Sequence, residues 1–328
     1  MKKPSEFSKW HTETATKGKI YRAPFHDYRG KGIYMFTFTL RAGMPPLSQI
    51  SGTVHNPIVT LTEFGLAAER ILLDQPRFFP CEIYRYVIMP DHIHFLFEVT
   101  QPLKRHIGHE MGAIEGACKR ALLSLFPNLK SATAGASIFR QKPHDRIIFD
   151  RQQLNTEKQY ISDNPRRLLI KRLYPDLFHT YNHLSIGNKE MAAYGNIFLL
   201  KHFQKEQVRI HRAWSPRDFE AHRQKCLTCA ANGGVLVSPF IHPIEKAIRD
   251  EALELGGNII TLRIDGFSDR FKPQGREFEL CREGRLLLLA PWPDNINTDM
   301  NRSAALSLND RAAEIATLPY TAQTRIKG

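Results

Sequence analysis

His92 and His94 stand two residues apart in the run His-Ile-His-Phe-Leu-Phe-Glu-Val, residues 92–99. In an extended strand, side chains at i and i+2 point to one face, so both imidazoles are presented together and can share one ion. Ile93 and Phe95 then point to the opposite face, toward a core. Imidazole nitrogens suit several divalent first-row metals. A chain with 14 histidines also produces such a pair by chance. Further along, Tyr160 and Asn164 are i and i+4 on a helix expected over 151–164, which stacks them on one face. A phenol placed there can act as a nucleophile, and an amide oxygen one turn on can serve as a third ligand for a hard cation. The competing reading is a half-buried ring with Asn164 ending the helix before Pro165.

These side chains need elements to hold them. Residues 33–40, rich in β-branched and aromatic types, read as a strand, and 57–61 as a second, short one. Apolar spacing from Thr62 to Leu73 predicts a helix. Residues 82–89 and 92–99 read as strands joined at Pro90-Asp91, a turn dipeptide. A helix is expected from about Leu103 to Leu125, one or two short strands within 137–149, and the tyrosine helix from an Asp150 cap to Pro165. Residues 1–31 read as a basic arm and 166–194 as a connection. The order strand, helix, strand, strand, helix, strand is the βαββαβ order of a ferredoxin-like sheet. After Gly195, apolar strands alternate with helices, the mark of a parallel sheet covered on both faces. The expectation is therefore an α+β chain: a ferredoxin-like domain over 1–190 and a Rossmann-like α/β domain over 195–328.

The 328 residues carry 46 Lys+Arg against 33 Asp+Glu, a net charge of +13. Residues 1–200 hold +10 of it and residues 201–328 only +3. Such a balance favours a polyanionic partner, located in the first two-thirds. No apolar run approaches the roughly 18–20 residues of a spanning helix, so no membrane role is expected. The basic start lacks an apolar segment behind it, and five sparse cysteines read as reduced thiols; both point to a cytoplasmic protein.

Residues 86–98, Tyr-Val-Ile-Met-Pro-Asp-His-Ile-His-Phe-Leu-Phe-Glu, resemble the HUH signature of single-tyrosine transposases. Residues 144–165, from His-Asp-Arg-Ile-Ile-Phe-Asp to Gln-Tyr-Ile-Ser-Asp-Asn-Pro, resemble that family's second signature. The closer likeness is to the REP-associated branch, with its Met-Pro-(Asn or Asp)-His-Ile-His and Tyr-Ile-x-x-Asn-Pro patterns, over roughly residues 15–185. Asp91 stands where the family often has Asn. The resemblance implies that His92 and His94, with Asn164 as third ligand, hold Mg²⁺ or Mn²⁺; the donor set would also accept Zn²⁺. It implies that Tyr160 attacks a phosphodiester of single-stranded, hairpin-forming DNA and forms a 5′-phosphotyrosine link. Lys104, Arg105, Lys119 and Arg120 on the long helix, Arg140, Lys142 and Arg146 near the later strands, and Arg166 and Arg167 after the tyrosine helix are candidates for the DNA track. About half are expected to meet phosphate. A homodimer is compatible with this reading. Two others fit the same residues: a catalytically silent DNA-binding protein of the same fold, and an unrelated metal-dependent hydrolase.

Residues 232–311 are similar in pattern to the Rossmann-like domain of DNA-processing protein A and lysine-decarboxylase-like families. Gly233-Gly234-Val-Leu-Val-Ser238-Pro, Gly256-Gly257, Gly284-Arg-Leu-Leu-Leu-Leu and Asn301-Arg302 carry that likeness. It implies an anionic ligand near Ser238 and the helix that starts near Pro243. A DNA-holding or structural accessory domain without a ligand is the equal alternative. Cys226 and Cys229 form a single CxxC, more in keeping with two reduced thiols than with a metal site.

Overall fold

A computed structural model describes residues 26–131, 133–140, 144–187, 189–211, 213–268, 271–295, 298–319 and 324–326. The expected N-terminal arm and Lys142 therefore lie mostly or wholly outside the described residues. The chain divides into two compact units, Met1–Ile170 and Lys171–Gly328.

The first unit is built on β1 (Gly32–Thr39), the hairpin β2 (Ser48–Gly52) and β3 (Pro57–Leu61), α1 (Glu63–Leu73), β4 (Cys81–Ile88), β5 (His92–Val99), α2 (Gly108–Leu125), β6 (His144–Ile148) and α3 (Arg151–Leu173). Four strands form one sheet in the order β4-β5-β1-β6, and every neighbouring pair is antiparallel. Alternation along the strands sorts its two faces. Tyr34, Phe36 and Phe38 of β1 and Ile93, Phe95 and Phe97 of β5 pack with Phe64, Ala68 and Leu72 of α1 and Met111, Ile114, Cys118 and Leu122 of α2. Met35, Leu96 and Ile148 point the other way and meet Ile161 of α3. Thus α1 and α2 cover one face and α3 the other.

Three expectations need correction. First, α3 does not stop at Pro165 but runs on to Leu173. Proline lacks an N–H and usually breaks a helix interior. Here the far half is held by burial, since Arg167 is largely and Ile170 wholly buried. Second, α2 begins at Gly108, so Lys104 and Arg105 lie in the turn before it. Third, the expected division at 190/195 would cut a strand, because residues taken as a connection form the hairpin β7 (Thr180–Ile186) and β8 (Lys189–Gly195).

That hairpin belongs to the second unit, with β9 (Lys205–Gln207), α4 (Pro216–Ala231), β10 (Val235–Ser238), α5 (Pro243–Glu254), β11 (Asn258–Leu262), α6 (Gly275–Arg282), β12 (Leu286–Ala290), α7 (Arg302–Thr317) and β13 (Thr324–Ile326). Its sheet runs β13-β7-β8-β12-β11-β10-β9. Strands β9 to β12 pair in parallel, and β12–β8, β8–β7 and β7–β13 antiparallel. Helices α4, α5 and α6 pack on one face and α7 on the other. Burial on both faces explains the unbroken apolar run Leu286–Leu289.

Candidate active site

The His pair owes its position to a tight turn and a fixed register. Met89 N–H donates to the His92 carbonyl (2.8 Å), closing the β4–β5 turn at Pro90-Asp91. Leu40 N–H donates to the Asp91 carbonyl (2.8 Å) and Leu47 N–H to that of Pro90 (2.9 Å), pinning the turn to the chain leaving β1. His94 then lies opposite Thr37 of β1 and Val87 of β4. As expected for i and i+2, the two imidazoles meet, with ring centres 4.8 Å apart.

Each ring has a different support. His92 Nδ1 is 2.7 Å from Asp91 Oδ1, and His94 Nδ1 is 2.9 Å from Thr37 Oγ1. Both rings are thus held through Nδ1, which turns Nε2 away from these two supports. His94 is only 5% exposed.

Helix α3 brings Tyr160 to this pair. The Tyr160 ring packs edge-on against His94, with centres 5.4 Å apart. It borders the cluster of Met35, Leu96, Ile148 and Ile161, so the phenol is anchored by the same seam that holds the helix. Asn164, 8% exposed, donates through Nδ2 to the Tyr160 carbonyl (2.8 Å), which leaves its Oδ1 as the remaining amide acceptor. Burial pushes the Tyr160 phenol above its ordinary pKa; the guanidinium groups of Arg167 and Arg146 pull it down, Glu157 pushes it up, and an Asn164 hydrogen bond favours the phenolate.

Among the described residues, no group of three or more His, Cys, Asp or Glu gathers as a metal cage. His92, His94 and Asn164 offer imidazole nitrogen and amide oxygen, donor types that suit a borderline-to-hard divalent ion.

The basic candidates scatter. Arg146 ion-pairs with Glu157, which is nearly fully buried and lies one turn before Tyr160. Arg167 lies over the Tyr160 ring, its guanidinium carbon 5.6 Å from the centre. Arg166 pairs with Asp163 (2.6 Å). Arg140 is exposed, and its N–H donates to the Thr39 carbonyl (2.7 Å), at the end of β1 that pairs with His92. Lys104 is exposed, and Arg105 reaches Glu110 at 4.0 Å. Lys119 and Arg120 lie on α2, across the sheet from the His pair; Lys119 Nζ donates to the carbonyls of Thr133 and Ala136 (2.8 and 2.6 Å), while Arg120 is exposed.

Three partners of the site were not anticipated from the sequence: Thr37, Glu157, and Asp91 in its role beside His92. Glu157 shares the helical stripe of Tyr160 and Asn164, so periodicity alone could have found it. Thr37 required the strand register.

In the second unit, the expected ligand position lies at Ser238 and the start of α5. Ser238 is wholly buried, and its Oγ accepts from Phe240 N–H (3.0 Å). At the N-terminus of α5, the buried Glu245 carboxylate accepts from Ile241 N–H (3.0 Å), His242 N–H (3.1 Å) and Ile210 N–H (3.3 Å). Glu245 thus closes a capping box with His242, whose Nδ1 accepts from Ile244 N–H (3.2 Å). Cys226 and Cys229 are both buried; desolvation lifts the Cys226 thiol to about 12 and the Cys229 thiol in the same direction, which disfavours the thiolate a metal needs.

Residues 62–164 match the family model described as IS200-like transposase. Among solved structures, a REP-associated tyrosine transposase bound to a REP hairpin is similar, at 17% identity over 44% of this chain and 73% of its own, with a TM-score of 0.29. A candidate transposase from Deinococcus radiodurans R1 is similar at 20% identity, over 43% of this chain and 97% of its own, with a TM-score of 0.29. No curated protein matches the chain.

Proposed function

We propose, from the match of residues 62–164 to the IS200-like transposase model, that the chain cuts and rejoins single-stranded DNA through a covalent bond to Tyr160. The observation that carries this reading is the packing of Tyr160 against His94, 5.4 Å between ring centres, on the face where His92 also stands. The antiparallel order β4-β5-β1-β6, with α1 and α2 on one face, supports a ferredoxin-like, HUH-type catalytic unit. The parallel strands of the second unit support a Rossmann-like accessory unit.

His92 and His94 would hold Mg²⁺ or Mn²⁺ through Nε2, with Asn164 Oδ1 as third ligand. When bound, such an ion polarises the scissile phosphate and orients it. Asp91 and Thr37 keep the two rings turned so that Nε2 faces the ligand. Tyr160 supplies the nucleophile: its oxygen forms a bond to phosphorus, the phenol proton is released, and the bond to the 3′ oxygen breaks to give a 3′-hydroxyl. Attack by a 3′-hydroxyl on the phosphotyrosine reverses these changes and restores the phenol. Phosphodiester bonds are exchanged one for one, so no nucleotide is consumed.

One chain supplies both the His pair and Tyr160, which supports action in cis. Labelled single-stranded hairpin DNA incubated with the full chain and Mg²⁺ is expected to give a covalent protein–DNA adduct that Tyr160→Phe abolishes. An adduct that survives this change would reject the nucleophile. DNA binding without any adduct from the unsubstituted chain would make it a binding protein. Mixing Tyr160→Phe with His94→Ala is expected to restore nothing; a restored adduct would mean exchange of Tyr160 between chains.

A further inference from the structure

Glu157, Tyr160, Asn164 and Arg167 follow one another at intervals of three, four and three along α3, so they share one helical face. Arg167 reaches this stripe only because the helix passes through Pro165 unbroken. It is just 9% exposed, and its guanidinium carbon lies 5.6 Å from the centre of the Tyr160 ring. A guanidinium withdrawn from water to this extent is not the casual surface cation often found over an aromatic ring. The neighbouring Ile161 is wholly buried and fixes the backbone of the helix, and its apolar seam borders the Tyr160 ring on one side. The torsions of Tyr160 are constrained by what lies against the ring, and beyond the seam these are His94 and Arg167.

We propose that Arg167 is a positioning residue, whose guanidinium holds the Tyr160 ring in place against His94 so that the phenol stays aligned for attack. This rests on the assignment of Tyr160 as nucleophile, and it differs from the DNA-track role expected for Arg167 from the sequence. A planar guanidinium stacks on a ring where an ammonium makes only a point contact, so Lys replaces it in part and Met not at all.

The test uses the full chain carrying Arg167→Lys or Arg167→Met, with ring-labelled tyrosines and the Tyr160 resonance identified by its loss in Tyr160→Phe. Without DNA or metal, the Tyr160 ring signal, displaced by the neighbouring imidazole, is expected to move toward the free-tyrosine position in Arg167→Met and part of the way in Arg167→Lys. At saturating DNA, adduct formation in a single turnover is expected to fall about tenfold or more in Arg167→Met, with partial recovery in Arg167→Lys and DNA affinity held within about twofold. An unmoved Tyr160 signal overturns the proposal, as does a loss of affinity with the saturated rate intact, which would assign Arg167 to phosphate binding. Should the unsubstituted chain form no adduct, the nucleophile reading fails, and the ring signal still decides whether Arg167 positions Tyr160. Arg167→Lys keeps the charge and most of the length, so it reports even where Arg167→Met folds poorly.

Discussion

His92 and His94 share a face but not a kind of support. Asp91 offers His92 a carboxylate, whereas Thr37 offers His94 a neutral hydroxyl. A carboxylate on Nδ1 fixes the proton there and makes Nε2 a stronger donor. Asp91 is 76% exposed, so water screens part of this effect. Asn at this position keeps an oxygen acceptor and loses the charge. Asp91→Asn is therefore expected to weaken Mn²⁺ binding about tenfold, the low end for a group that supports a metal-bound imidazole, in a calorimetric titration of the full chain. Equal affinities would dismiss Asp91 as a support. At this scale the sequence was informative wherever the relation is local. The i, i+2 pairing of the histidines and the i, i+4 pairing of Tyr160 with Asn164 follow from strand and helix periods alone. Thr37 was not legible, since it meets His94 across 57 residues of chain and only through the β1–β5 register.

Helix α3 is attached to the sheet by a small seam: Ile161 against Met35, Leu96 and Ile148, bordered by Leu154 and Tyr160 itself. Tyr160 thus sits on the element whose docking depends on few apolar contacts. Ile161→Ala removes the central one. It is expected to lower the opening free energy of α3 by about 2–4 kcal/mol, read by hydrogen exchange of the α3 amides. A loss below about 1 kcal/mol would mean that the helix is held elsewhere. Pro165 predicts a shorter helix than the one formed, because local rules weigh the missing N–H and ring clash but not the burial beyond them. Ile170 and Arg167 provide that burial, and both lie C-terminal to the proline. The hairpin β7–β8 is illegible in the sequence for a related reason: Asn182, His183, Lys189 and Glu190 interrupt its apolar pattern, and its pairing to β12 and β13 is set by the sheet. By contrast, the strands Val235–Ser238, Asn258–Leu262 and Leu286–Ala290 were legible because burial on both faces writes itself as unbroken apolar runs.

Across the whole molecule, the charge imbalance of +10 in residues 1–200 against +3 in residues 201–328 has a structural counterpart. In the second unit, many basic side chains face acids of the same unit: Lys189 and Arg311 meet Glu314, Arg223 meets Glu251, Lys225 meets Glu206, Arg276 meets Asp250, and Arg282 meets Glu279. In the first unit, Lys104 and Arg140 are exposed and in no ion pair among the described residues. A strand of DNA gains most from charges that no internal acid already satisfies, because each phosphate neutralised releases counterions. Lys104→Gln with Arg140→Gln is therefore expected to weaken single-stranded DNA binding. It should also flatten the dependence of log affinity on log salt by about 1.4, or roughly 0.7 for each phosphate left without its cation. Lys246, exposed on α5 of the second unit, provides the control, and Lys246→Gln should leave both affinity and slope unchanged. Measured by fluorescence anisotropy across a salt series, equal effects of the two changes would mean that DNA runs over both units. An effect of Lys246→Gln alone would move the polyanion site to the second unit and detach the charge argument from the face that carries His92, His94 and Tyr160.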